Sequence, residues 1–137
     1  MRMLIAEDDC ASARYMSGLL SRLGECVVVA DGELALDAYR KAQDEGCPFQ
    51  LICLDVMMPH RSGQEVLEAI RRLEQQAGVL PGQGVKIIMT TALGDMRSVM
   101  SAYKGGATAY ITKPILTERL FETICSLGLE ARGKDNT

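Results

Sequence analysis

The chain has 137 residues, 47% of them hydrophobic and 24% charged, with a formal net charge of −3. That length suits one globular domain, the composition is too apolar for disorder, and with no basic run there is no nucleic-acid footprint. The longest apolar runs fall far short of a membrane span and no signal-peptide cleavage pattern follows the N-terminus, so the expectation is a cytoplasmic protein with no membrane partner.

Cys10, Cys26, Cys47, Cys53 and Cys125 form no C-x-x-C pair, and with His60 the single histidine they do not suggest a zinc site. They read as reduced thiols, Cys53 as core packing, and His60 as an exposed loop residue after Pro59.

Residues 3–6 are a short apolar run of the buried-strand kind, ending in Glu7, Asp8 and Asp9. Residues 10–23 follow, with Ala13, Met16, Leu19, Leu20 and Leu23 at helical spacing and Gly24 as the stop. A β-branched run over 26–30 predicts a strand, Asp31 and Gly32 a turn, and 33–45 a helix with Ala35, Ala38, Tyr39 and Ala42 inward, closed by Gly46 and Pro48. Leu51-Ile52-Cys53-Leu54 runs straight into Asp55, and Pro59 prevents the strand from continuing. Val66, Leu67, Ile70 and Leu73 mark a third helix, and residues 75–84 a glycine-rich loop. Pro81-Gly82-Gln83-Gly84 is not read as a phosphate cradle, because it precedes a strand, whereas such a loop follows a strand and opens a helix.

Residues 85–90 are the fourth predicted strand, ending at Thr90-Thr91-Ala92. Gly94 and Asp95 begin a helix with Met96, Val99, Met100 and Tyr103 on one face, ended by Gly105 and Gly106. The stripe reads first as core, with Tyr103 near a partner-binding surface. Residues 107–111 form the fifth strand, terminated by Thr112-Lys113-Pro114, and Thr117 caps a last helix with Leu120, Phe121, Ile124 and Leu127 on one side. The expected organisation is one domain over 1–129 and a polar tail over 130–137, with nothing after Leu129 to form an output domain.

Strict alternation of strand and helix predicts an α/β fold, a doubly wound parallel sheet with right-handed crossovers. Every strand of such a sheet ends on the same edge, so Glu7, Asp8, Asp55, Thr91 and Lys113 should face a common pocket. Carboxylates so close repel unless a cation sits among them, and an oxygen-only site with few ligands suits Mg²⁺. Lys113 can then neutralise a phosphoryl oxygen, the Thr91 hydroxyl can donate to another, and Asp55 can act as nucleophile. Taken singly, the same residues have ordinary readings: Asp55 and Thr91 as caps, Lys113 as a solvated edge charge, Tyr110 as an edge-strand aromatic.

The segments Leu4-Ile5-Ala6-Glu7-Asp8-Asp9, Leu54-Asp55-Val56-Met57-Met58-Pro59, Thr90-Thr91-Ala92 and Tyr110-Ile111-Thr112-Lys113-Pro114 closely resemble the receiver domains of two-component response regulators, in particular the chemotaxis-type single-domain regulators. The resemblance covers about residues 2–129 and implies the flavodoxin-like (βα)5 fold with strand order 2-1-3-4-5, an order for which a member of this family is itself a standard example. It implies that Asp55 accepts a phosphoryl group from a sensor histidine kinase or phosphotransfer protein. Glu7 and Asp8 would hold Mg²⁺, or Mn²⁺ in its place, with Asp55 and the backbone carbonyl of Met57, while the part of Asp9 stays open. Thr91 and Tyr110 resemble the switch pair, Lys113 the phosphate-pairing lysine, and the bond to Pro114 is expected to be cis. The protein would be a monomer or a phosphorylation-dependent dimer, would act on no substrate but itself, and would signal through the face made by the fourth helix, fifth strand and fifth helix. The loop over 75–84 is several residues longer than usual in the family.

Two other functions compete with this reading. An aspartyl-nucleophile phosphatase dependent on Mg²⁺ needs a second acid two residues after its nucleophile, where Met57 stands. A flavodoxin-like cofactor binder needs hydroxyls or glycines after the first strand, where this chain has acids that repel an anion.

Met57 and Leu93, two positions beyond Asp55 and Thr91, are apolar where side chains of relatives can help or hinder an attacking water. Slow loss of the phosphoryl group is the expected result. A Met57→Asn or Met57→Glu variant should change the dephosphorylation rate, measured by following the phosphoprotein with time, and an unchanged rate would count against this reading.

Overall fold

In the computed structural model, which describes residues 1–92 and 106–129, the apolar runs become parallel strands. They are β1 (Arg2–Ala6), β2 (Glu25–Val29), β3 (Leu51–Asp55), β4 (Lys86–Thr91) and β5 (Ala109–Thr112). Between and after them lie α1 (Cys10–Leu20), α2 (Gly32–Asp44), α3 (Gly63–Gln76) and α4 (Thr117–Ser126), the last of these being the fifth predicted helix. The sheet order is β2-β1-β3-β4-β5, as the resemblance implied. The predicted helix carrying Met96, Val99, Met100 and Tyr103, the position Leu93 and the 130–137 tail lie outside the described residues. Among the described residues no helix is long and apolar enough to cross a membrane.

The continuous apolar character of β1, β3 and β4 follows from burial on both faces. Successive side chains in a strand point to opposite sides, so Leu4, Ile52, Leu54, Ile87 and Met89 pack under α2 and α3. Met3, Ile5, Leu51, Cys53 and Ile88 pack instead under α1 and α4. Burial pushes the Cys53 thiol up to about 12, which fits a packing residue and not a reactive one. Leu36 and Phe49 join the first cluster although the helical and strand patterns did not mark them. The Arg2 guanidinium lies over the Phe49 ring, 4.9 Å from its centroid.

Helix starts follow their capping side chains. Asp9 caps α1, Asp31 caps α2, and Ser62 with Glu65 forms a reciprocal capping box on α3. Thr117 is not the cap of the last helix. Leu116 occupies that position without a side-chain bond, and the Thr117 hydroxyl lies 3.2 Å from Tyr15 Oη across the face shared with α1. Helix α1 also stops before the predicted residue 23: the chain turns at Ser21, and Leu23 stays buried outside the helix. Gly24 matters for approach, since a Cβ there would fall 1.9 Å from the Met1 carbonyl oxygen.

The predicted loop over 75–84 begins two residues late because α3 runs to Gln76, and the loop is tied to a buried carboxylate. Glu74 Oε1 accepts from Arg71 Nη1 at 2.8 Å and Glu74 Oε2 from the Val85 backbone at 2.7 Å, while the Glu74 carbonyl accepts from Val79 N. Gly84 passes so close that a Cβ would meet the Glu74 carboxylate at 2.2 Å. Gly84 therefore lets the segment pass as a strap over Glu74, at the end of the sheet opposite Asp55. Truncation in Glu74→Ala leaves the Val85 N–H without its acceptor and takes one of three partners from the half-buried Arg71 guanidinium, and should lower unfolding free energy by about 1–3 kcal/mol in urea titrations.

Candidate functional site

The carboxyl ends of β1, β3, β4 and β5 deliver Glu7 and Asp8, Asp55, Thr91 and Lys113 to one edge of the sheet. The ammonium of Lys113 stands between two buried carboxylates, 2.9 Å from Glu7 Oε1 and 3.0 Å from Asp55 Oδ2. Its own backbone N–H donates to the Thr91 carbonyl at 2.7 Å, which carries the β4–β5 pairing up to the site. The Lys113–Pro114 bond is cis, as expected. On the other side of Asp55, the Met57 backbone N–H donates to Oδ1 at 3.2 Å, so both carboxylate oxygens are held.

Carboxylate oxygens of Glu7, Asp8 and Asp55 lie within 4.8 Å of one another, Glu7 and Asp55 buried and Asp8 exposed. Three carboxylates and one ammonium leave two uncompensated negative charges, which is the charge a divalent cation brings. The donor set is all oxygen and opens to solvent on the Asp8 side, so the residues present fit a hard ion that retains waters. Asp9 is bound elsewhere, for its Oδ2 accepts from Ser12 N at 2.9 Å and Ser12 Oγ at 2.7 Å, and its backbone N–H donates to Glu7 Oε2 at 3.1 Å. The third acid thus caps α1 and steadies Glu7 through its main chain.

Proton affinities reflect the crowding. Burial first, and the neighbouring Asp55 second, raise the pKa of Glu7 above its ordinary value, with the Lys113 bond working against them. Burial alone would lower the pKa of Lys113, but its bonds to Glu7 and Asp55 outweigh that and raise it. Lys113 therefore stays charged while Glu7 retains a proton at a pH where an exposed glutamate has lost it. The Asp9 carboxyl is held below the usual range by its bonds from Ser12.

Thr91 is buried at the end of β4, one residue beyond the Thr90 that pairs with Asp55 in register. Tyr110 pairs with Met89, is half-buried, and packs against the core under α2 and α3, more than the edge aromatic that strand propensity alone suggests. Met57 is 72% exposed, so its side chain stands in solvent while its backbone serves Asp55. His60 is exposed as expected, but it is also a partner: it adopts a left-handed backbone conformation, and its Nδ1 lies 3.0 Å from Asp31 Oδ2. Beside it Arg61 pairs with Glu33, so the loop after Asp55 is pinned to the start of α2. Sequence reasoning missed both pairs, for contacts between residues 29 and 28 apart leave no local signal.

The family profile for the response regulator receiver domain matches residues 3–125. A hybrid signal transduction histidine kinase I of Dictyostelium discoideum is 32% identical over 124 residues, 90% of this chain and 7% of that protein. The chemotaxis protein CheY of Listeria monocytogenes is also 32% identical, over 90% of this chain and 96% of that one. The chain thus spans a small part of the first relative and nearly all of the second. Among solved structures, the chemotaxis protein CheY4 of Vibrio cholerae superposes with a TM-score of 0.75 at 26% identity, covering 92% of this chain and 97% of that one.

With Glu7 in the ligand set, which requires it to lose its proton, affinity for a divalent cation such as Mg²⁺ should fall as pH is lowered through the raised Glu7 pKa, at a higher pH than an ordinary glutamate would impose. Calorimetric titrations in two buffers of different ionisation enthalpy should show proton release on Mg²⁺ binding in that range. Glu7→Gln should remove the release.

Proposed function

The chain belongs to the response regulator receiver domain family, and on that premise we propose that Asp55 accepts a phosphoryl group from the phosphohistidine of a sensor histidine kinase or phosphotransfer protein. The observation that carries this reading is the Lys113 ammonium within hydrogen-bond distance of both Glu7 and Asp55. It gives the acceptor carboxylate a fixed cation, and two further positive charges are still needed to satisfy the acids.

The Asp55 carboxylate attacks phosphorus, the phosphorus–nitrogen bond of the donor breaks, and the imidazole leaves with the electron pair. The result is an acyl phosphate on Asp55. Lys113 exchanges part of its contact with Asp55 for the incoming phosphoryl oxygens, remaining a point charge on the side of β5. The Met57 N–H holds the other carboxylate oxygen during attack, and the Thr91 hydroxyl donates to a phosphoryl oxygen. Glu7, Asp8, Asp55 and the Met57 carbonyl would hold Mg²⁺ or Mn²⁺, which when bound supplies charge neutralisation for the phosphoryl oxygens.

The output follows from a differential interaction. Once Thr91 turns toward the phosphoryl group, the space behind it favours an inward Tyr110 ring, and β5 with α4 presents an altered surface to a downstream protein. The fourth predicted helix, the third part of that surface, lies outside the described residues. In this reading the unit is the domain over 1–129, works in the cytoplasm, and catalyses only its own phosphorylation and dephosphorylation. The phosphatase alternative lacks its proton donor, because the residue two beyond Asp55 is Met57.

Incubation with Mg²⁺ and a small acyl phosphate or phosphoramidate, read by intact mass, should give a single phosphoryl adduct absent in Asp55→Ala. Rapid turnover of the donor with no adduct on the wild-type chain would overturn the relay reading in favour of the phosphatase.

A further inference from the structure

We propose that the outer edge of β2 is a self-pairing surface, through which two copies of this chain join by antiparallel β2–β2 pairing into one sheet running through both. This stands apart from the acid site and from the relay reading.

Strand β2 ends the sheet, bonded on one side only, to β1. The Glu25 N–H donates to Met1 and the Val29 carbonyl accepts from Glu7, so Glu25, Val27 and Val29 turn their backbone groups inward along the ladder. Alternation then aims the N–H and C=O of Cys26 and Val28 outward, where they meet no partner among the described residues. Natural edge strands are usually guarded by shortness, by charged residues and lysine above all, by proline, a bulge or a covering element. The sequence Glu25-Cys26-Val27-Val28-Val29 has one charge, at its first position, and neither lysine nor proline; its ladder to β1 is unbroken, and Val28 in the uncharged stretch is 43% exposed.

The strand is complementary to itself in one register. With the two-fold axis at Val27, each Cys26 exchanges both backbone bonds with Val28 of the partner copy, and the two Val27 residues face each other as a close non-hydrogen-bonded pair. All residues of β2 are then used, and Glu25 falls opposite the partner's Val29. Moving the axis to Val28 would set Glu25 against Asp31, two like charges. Moving it to Cys26 would pair only part of the strand, which begins at Glu25. The charge of Glu25 is already met within its own copy, Arg2 Nε lying 3.6 Å from Glu25 Oε1. A two-fold contact of this kind consumes both edges, so association closes at the dimer.

Sedimentation velocity over a rising concentration series should show the average mass climbing toward twice that of one chain. Val28→Pro removes only an outward N–H, and Val28→Lys adds a guarding charge; both should remain monomeric at every concentration while keeping the wild-type circular dichroism. In a background with Cys10, Cys26, Cys47 and Cys125 replaced by serine and the buried Cys53 retained, Val27→Cys should form a disulfide-linked dimer under mild oxidation and Val29→Cys should not. A wild-type chain that stays monomeric throughout, self-association untouched by both Val28 variants, or equal cross-linking at the two cysteine positions would overturn the proposal.

Discussion

A single ammonium held between two buried carboxylates is the constraint around which the rest of the molecule is arranged. Glu7 and Asp55 sit at the ends of neighbouring strands, largely removed from water, and without Lys113 their charges would face one another with only a raised Glu7 pKa to relieve them. Lys113 reaches them from β5, which is separated from β3 by β4. Its position therefore depends on the register of an edge strand.

That register is held at both ends. Where the chain enters β5, Thr108 N donates to the Ile87 carbonyl, and the Thr108 hydroxyl accepts from Ile87 N at 3.0 Å and lies 3.3 Å from Arg71 Nη2. Where it leaves, Lys113 N donates to Thr91. Arg71 also bonds the Gly106 carbonyl and the buried Glu74, so α3, the strap over 77–85 and the entry to β5 form one polar network at the far end of the sheet. A slip of one residue would carry every β5 side chain to the opposite face, and this network opposes such a slip.

The loops beside the acids are steadied by weaker means. Asp9 and Asp31 each satisfy the first turn of a helix, and Asp31 also receives His60 from the loop after Asp55. An exposed pair of this sort contributes little to stability. Its consequence is placement, since the loop it restrains carries the Met57 N–H that orients Asp55.

The chain's own order of residues already determined the strand–helix alternation and the delivery of Glu7, Asp8, Asp55, Thr91 and Lys113 to one edge. Hydrophobic periodicity is local, and the parallel topology converts local strand ends into a shared pocket. Folding alone decided between Asp8 and Asp9, because both are acids after one strand and only the turn into α1 directs Asp9 to Ser12. It also decided that Leu116, not Thr117, begins the last helix, that Glu74 anchors the glycine-rich strap, and that His60 meets Asp31. Each of these depends on where distant backbone segments pass one another, and that proximity is a property of packing that no spacing along the chain encodes.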